Sequence, residues 1–150
     1  MKLSEILNPG LISVDLQSTE KPELFEEMVQ LFVDENLISD AGKAVDVLLE
    51  RERQMSTGVS LNLALPHGKL AEVHDVIMAL GISRKGIDYD SLDGEPVYVV
   101  IAILSEAGNP EAHIGALVEI SRLFSIHGFL NRIRAAETPE QVLDIIRSEE

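Results

Sequence analysis

Val97-Tyr98-Val99-Val100-Ile101-Ala102-Ile103-Leu104 is the longest apolar run in the chain, and its 8 residues decide the fold class. A half-buried strand alternates apolar with polar, whereas this run is apolar on both faces, as a central strand covered from two sides must be. It is far short of the ~20 residues that a membrane-crossing helix needs. Outward towards the C-terminus, Ser105 to Pro110 reads as a loop. Glu111 to Phe124 predicts a helix with His113, Leu117, Ile120 and Phe124 on one face. A short helix is expected over Phe129 to Ala135. The last helix opens at Thr138, where Thr-Pro-Glu-Gln supplies an N-cap, a proline at the first helical position and Gln141 for a capping box.

Towards the N-terminus, Val76 to Ser83 reads as a second strand, separated from the central run by the turn Leu92-Asp93-Gly94. Leu61-Asn62-Leu63-Ala64-Leu65 alternates as a third, which Pro66-His67-Gly68 is expected to stop. Asp40 precedes a helix whose Ala41, Ala44, Val45, Leu48 and Leu49 recur at helical spacing, with Glu50-Arg51-Glu52-Arg53 as its polar end. Glu20 to Asn36 predicts another, with Leu24, Met28, Leu31 and Phe32 on one side. Leu11 to Leu16 alternates as a strand, and a short helix over Leu3 to Leu7 is broken at Asn8-Pro9-Gly10. Strands interleaved with helices predict an α/β fold: one domain over residues 1–150, with a mixed β-sheet flanked by α-helices on both faces.

Composition narrows the function. With no cysteine among its 150 residues, the chain has no disulfide framework, thiolate metal site or cysteine nucleophile. A net charge of −14 argues against nucleic acid, whose phosphates would repel it. The same charge suits a partner with a basic docking face, and equally suits ordinary solubility. The opening Met1-Lys2-Leu3-Ser4-Glu5 lacks an apolar signal core, so a soluble, cytoplasmic protein without direct membrane insertion is expected.

Four histidines are the candidate chemical groups. His67 lies between a proline and a glycine at a strand end, where functional side chains of α/β proteins collect. His113 falls in the first turn of its helix, where free N–H groups favour an anion and keep an imidazole neutral. His74 reads as a surface turn and His127-Gly128 as a helix terminus. Arg51 would suit two phosphate oxygens if it turned inward, and the hydroxyls of Ser56 and Thr57 beside Gly58 would suit the same oxygens. No P-loop or dinucleotide fingerprint is present. Two histidines without an evident third ligand make a poor zinc site, so no metal is expected.

Arg51-Glu52, Ser56-Thr57-Gly58 and Ala64-Leu65-Pro66-His67-Gly68-Lys69 together resemble the signature of the fructose/mannitol/nitrogen-regulatory class of enzyme IIA, a component of the phosphoenolpyruvate-dependent sugar phosphotransferase system. Asp90 to Val97, His113 heading its helix and Arg134 to Gln141 fit the same pattern. The spacings are 67 − 51 = 16 residues from arginine to histidine and 113 − 67 = 46 between the histidines. The resemblance spans essentially the whole chain. One departure is Ser60-Leu61-Asn62, where the class usually carries Gly-x-Gly.

The resemblance implies a phosphotransferase component that needs no cofactor. His67 would become a phosphohistidine through Nε2, taking the group from HPr or its nitrogen-branch homologue and passing it to a IIB domain for sugar uptake. His113 would neighbour the phosphoryl group and Arg51 would help neutralise it. The alternative within the class is a nitrogen-type regulator that binds target proteins according to the phosphorylation of His67.

Overall fold

The structure is a computed structural model and describes residues 1–150 throughout. Its helices are α1 (Leu3–Ile6), α2 (Lys21–Asp34), α3 (Ala41–Gln54), α4 (Pro110–Phe124), α5 (Phe129–Ala135) and α6 (Pro139–Ser148). Its strands are β1 (Ile12–Ser13), β2 (Leu63–Ala64), β3 (His67–Lys69), β4 (Val76–Ile87) and β5 (Val97–Ser105). Every residue of β5 is buried except the half-buried Tyr98, which is why this strand carries no alternating pattern. It pairs antiparallel with β4 from Val76 opposite Ser105 to Ile82 opposite Val99. On its other side it pairs parallel with β2 and then with β3. β1 adds a parallel edge to β4, so the sheet is mixed.

Neighbouring strand residues point to opposite faces of the sheet, which locates the helices. On β3, a Cβ at Gly68 would lie 2.3 Å from Val47 Cγ1 of α3, so α3 closes on that face. His67 points the other way and meets His113 of α4. α2 packs on α3, and α5 packs beside α4 against β4 and β5. Helices therefore cover both faces, as the interleaved pattern predicts.

The helix starts follow local chemistry. The side chains of Asp40, Asn109 and Thr138 accept from the backbone N–H groups of Lys43, Ala112 and Gln141, and prolines stand at the openings of α4 and α6. The predicted capping box closes one residue early: Gln141 Oε1 accepts from the Glu137 N–H at 2.8 Å.

Three strand readings change. The strand read over Leu11 to Leu16 keeps regular pairing only at Ile12 and Ser13, with one further bond from the Leu16 N–H to the Ile82 carbonyl at 2.9 Å, and a short 3-10 turn over Pro9–Leu11 takes its first residue. β4 continues to Ile87, past a register shift after Ile82. Pro66 does not end the sheet. Its carbonyl still accepts from the Ile103 N–H at 2.9 Å, and pairing resumes at His67. Proline lacks a donor but keeps its acceptor, so an edge strand tolerates it as a gap.

The segment before β2 is a hairpin rather than a continuous strand. Leu65 donates to the Thr57 carbonyl at 2.9 Å and Val59 to that of Leu63 at 3.1 Å. Leu61 and Asn62 form its tip at φ of 55° and 68°. Two consecutive left-handed residues are what a primed two-residue turn demands, and Gly or Asn normally supplies them. Leu61 fills the first position with an exposed side chain.

Candidate functional site

At the open edge of the sheet, β3 carries the half-buried His67 and the exposed Lys69 on one face, with α3 running alongside. His67 Nδ1 lies 2.9 Å from the Leu65 carbonyl oxygen. A carbonyl can only accept, so Nδ1 carries the proton, and in the neutral ring Nε2 keeps its lone pair. The carbonyl thereby selects the tautomer, and β3's pairing with β5 holds the ring's base.

His113 arrives from the first turn of α4. Its Nδ1 is 3.2 Å from the hydroxyl of Ser105, the fully buried last residue of β5. The two imidazoles stack at 4.9 Å between centroids with a 50° tilt. Together with Arg51 and Lys69 they line a cavity of about 500 Å3 that also touches Val47 and Gly68. Arg51 reaches it from the last turn of α3 and donates one Nη1–H to the Met55 carbonyl at 3.0 Å. A guanidinium has five N–H donors, so most of its fork stays free.

Burial is the foremost influence on both rings and holds each pKa below the ordinary imidazole value. At His67 the hydrogen bond to Leu65 opposes this, Arg51 adds to it and Glu52 opposes it. At His113 the charges of His67, Lys69 and Arg51 add to the burial effect. The pair therefore rests neutral near pH 7. A neutral imidazole with an exposed Nε2 lone pair is a nucleophile, and cations stand ready for an anionic electrophile.

The sequence places Ser56 and Thr57 with Arg51, but the structure separates them. Neither lines the cavity. The Thr57 hydroxyl donates to Glu52 Oε2 at 2.6 Å, its N–H donates to Oε1 at 2.9 Å, and the Tyr89 hydroxyl lies 2.7 Å from it. Ser56 Oγ accepts from the Gly58 N–H at 3.2 Å. Both hydroxyls are engaged in building the hairpin.

Glu52 itself is a correction. Read as part of the polar end of α3, it is buried and paired with Lys21 Nζ at 3.1 Å. Its partners come from distant parts of the chain, and the nearest signal was Thr57, five residues on. His74 and His127 are exposed and lie apart from the cavity. No group of three or more His, Cys, Asp or Glu side chains is placed to hold a metal ion. A second cavity of about 360 Å3, lined by Lys85, Asp88, Asp90 and Glu95 among others, contains neither histidine of the pair.

Apolar side chains stand exposed on the hairpin and on α4: Met55 and Val59 beside the hairpin, Leu61 at its tip, and Ile114 and Val118 one turn apart on α4. No helix of the chain is long and apolar enough to cross a membrane.

Comparison with known proteins follows the same lines. The family described as "Phosphoenolpyruvate-dependent sugar phosphotransferase system, EIIA 2" matches residues 5–149. The fructose-specific EIIABC component of Bacillus subtilis (strain 168) is 34% identical over 97% of this chain, which spans only 23% of that protein's length. The fructose-specific EIIA component of Haloferax volcanii is 31% identical, covering 96% of this chain and 94% of its own. Among solved structures, the nitrogen regulatory protein IIA-Ntr from Neisseria meningitidis superposes with a TM-score of 0.88 at 26% identity, covering 96% of this chain and 98% of its own.

Proposed function

The chain belongs to the EIIA 2 family of the phosphoenolpyruvate-dependent sugar phosphotransferase system, and from that premise we propose that it is a cytoplasmic phosphocarrier with His67 as its phosphorylated residue. Residues 1–150 act as one such domain. It accepts the phosphoryl group from an HPr-like carrier protein and passes it to a IIB component during sugar uptake. The observation that carries this reading is the bond from His67 Nδ1–H to the Leu65 carbonyl, which leaves Nε2 as the free nucleophile in a cavity shared with His113 and Arg51.

The step balances without a cofactor. Nε2 of His67 attacks the phosphorus of a phosphohistidine on the carrier, a new P–N bond forms, and the carrier's P–N bond breaks. The carrier's ring, protonated on its other nitrogen, keeps the electron pair of the broken bond and departs as neutral imidazole, while His67 retains its Nδ1 proton and takes over the positive charge. Such a transfer depends on positioning and charge stabilisation. Arg51 offers its free guanidinium donors to the phosphoryl oxygens, and the His113 ring at 4.9 Å lies close enough to contribute a hydrogen bond to them. The exposed Ile114, next to His113, and Val118 one turn on support docking of a partner over the histidine pair, and the net charge of −14 favours a basic one.

A second reading has support of its own. The likeness to the Neisseria nitrogen regulatory protein spans nearly both chains, which favours a regulator whose target binding follows His67 phosphorylation. Both readings share the phosphohistidine. Incubation with phosphoenolpyruvate, enzyme I and each candidate carrier should add one phosphate per chain, labile to acid and stable to base. Full labelling of His67→Gln would remove the proposal.

A further inference from the structure

Next to Arg51 on α3, Glu52 heads a buried polar cluster that phosphoryl transfer does not itself use. Glu52 accepts from the Thr57 N–H at 2.9 Å and the Thr57 hydroxyl at 2.6 Å, with the Tyr89 hydroxyl 3.2 Å from Oε2 and Lys21 Nζ 3.1 Å from Oε1. Lys21 also sits 4.8 Å over the Tyr89 ring, and Tyr89 is fully buried. The cluster ties α2, α3, the hairpin and the segment after β4 to one carboxylate.

Burying such a group is a poor way to gain stability. Desolvation of an ion pair offsets most of its attraction, and apolar packing of the same volume often does better. What the cluster delivers is position. The Thr57 carbonyl accepts from the Leu65 N–H at 2.9 Å, and the Leu65 carbonyl accepts from His67 Nδ1 at 2.9 Å. An unbroken chain of hydrogen bonds runs from the Glu52 carboxylate to the imidazole.

We propose that Glu52 is a positioning residue for His67: by fastening Thr57 it fixes the Leu65 carbonyl, and so determines which ring nitrogen faces the cavity. The role rests on His67 being the phosphorylated residue, because the nitrogen it presents is the attacking one. Loosening the hairpin frees the Leu65 carbonyl to turn away, and Nδ1 then loses the partner that keeps its proton. The ring next populates the Nε2–H tautomer, whose outward nitrogen has no lone pair to give.

Glu52→Ala, Glu52→Gln and Thr57→Val test this. Two readouts apply: the His67 tautomer from long-range nitrogen–proton NMR, and the rate of phosphorylation by phosphoenolpyruvate, enzyme I and HPr. In folded Glu52→Ala, the Nε2–H tautomer should become detectable and phosphorylation should slow about tenfold or more, as displacement of a reacting group does. Glutamine can keep one oxygen on the Thr57 N–H and turn its amide nitrogen to the two hydroxyls, so Glu52→Gln should recover to within about threefold of the parent. A merely structural residue would lower the melting temperature without moving the tautomer of the folded protein. An unchanged tautomer and rate in Glu52→Ala overturns the proposal, as does a Glu52→Gln variant that is just as impaired. If Glu52→Ala fails to fold, Thr57→Val should shift both readouts in the same direction by less, and no shift overturns it. A tautomer shift in variants of a parent that no carrier phosphorylates sinks the phosphocarrier reading while leaving Glu52's control of the His67 tautomer standing.

Discussion

A methyl group on Gly68 would place its carbon 2.3 Å from Val47 Cγ1 and 3.5 Å from the Val47 carbonyl carbon and oxygen. Ordinary contact begins near 3.4 Å, so α3 and β3 would have to part by 3.4 − 2.3 = 1.1 Å at this point. Valine in a helix holds one strongly preferred rotamer and cannot swing its methyl clear cheaply. Gly68→Ala should therefore cost about 1–3 kcal/mol, the usual range for an overpacked contact. Val47→Ala removes the obstructing methyl at a cost of about 1 kcal/mol for its own lost packing. The double variant should be less destabilised than the sum, with a coupling of about 1–2 kcal/mol. Urea unfolding of the four proteins measures all three quantities. Arg51 lies one helical turn beyond Val47, so the displaced helix should also carry its guanidinium off the cavity. Phosphorylation of Gly68→Ala should then slow by about tenfold or more and recover in the double variant. A Gly68→Ala protein as stable as its parent, or strict additivity in the double variant, would refute the claim that α3 closes on this face through Gly68.

Three other expectations follow from the site and its hairpin. Because the folded-state pKa of both His67 and His113 lies below 6.5, the folded chain binds fewer protons than the unfolded one; their contribution to stability is complete above 6.5 and lost as pH falls through the folded values. An NMR titration midpoint above 6.5 for His67 would contradict this, whereas phosphorylation should persist into mildly acidic buffer. His113→Ala and Arg51→Ala should each fold, with Arg51→Ala losing about 0.5–1 kcal/mol, yet slow phosphorylation about tenfold to a hundredfold; wild-type rates in both would remove them from the site. Leu61→Gly should raise stability by about 0.5–1 kcal/mol, because relief of a left-handed leucine outweighs the entropy of glycine, and a lowered melting temperature would show that the tip is unstrained.

Features written in continuous stretches of sequence were legible. The central strand announced itself by having no polar face, and α3 and α6 by periodicity with a capping residue at the expected place. Features made by pairing at a distance were not. Ile12 and Ser13 pair regularly with β4 whereas beyond them only the Leu16 N–H reaches it, and nothing in the alternation of Leu11 to Leu16 marks that limit. Glu52 looks like its exposed neighbours Glu50 and Arg53, and its partners Thr57, Tyr89 (37 residues on) and Lys21 on the preceding helix are what reveal that it turns inward. The meeting of His67 with His113 was foreseen through resemblance, since periodicity alone has no means of joining two strand and helix ends 46 residues apart.

Placing His67 within a paired strand has a consequence for the direction of transfer. An acceptor mounted on a flexible loop would rearrange on receiving its cargo, and the energy of that rearrangement would bias the next step. Here the backbone on either side is tied to β5, from the Pro66 carbonyl through to Lys69. If His67 carries a phosphoryl group as proposed, a mount tied on both sides has little room to rearrange on loading, so the geometry that eases arrival of the group also eases its departure. As a phosphocarrier, the chain would then be a reversible relay: the direction of travel would be set by the phosphoryl-transfer potentials of the docked proteins and of His67 itself, which Arg51 and His113 would tune.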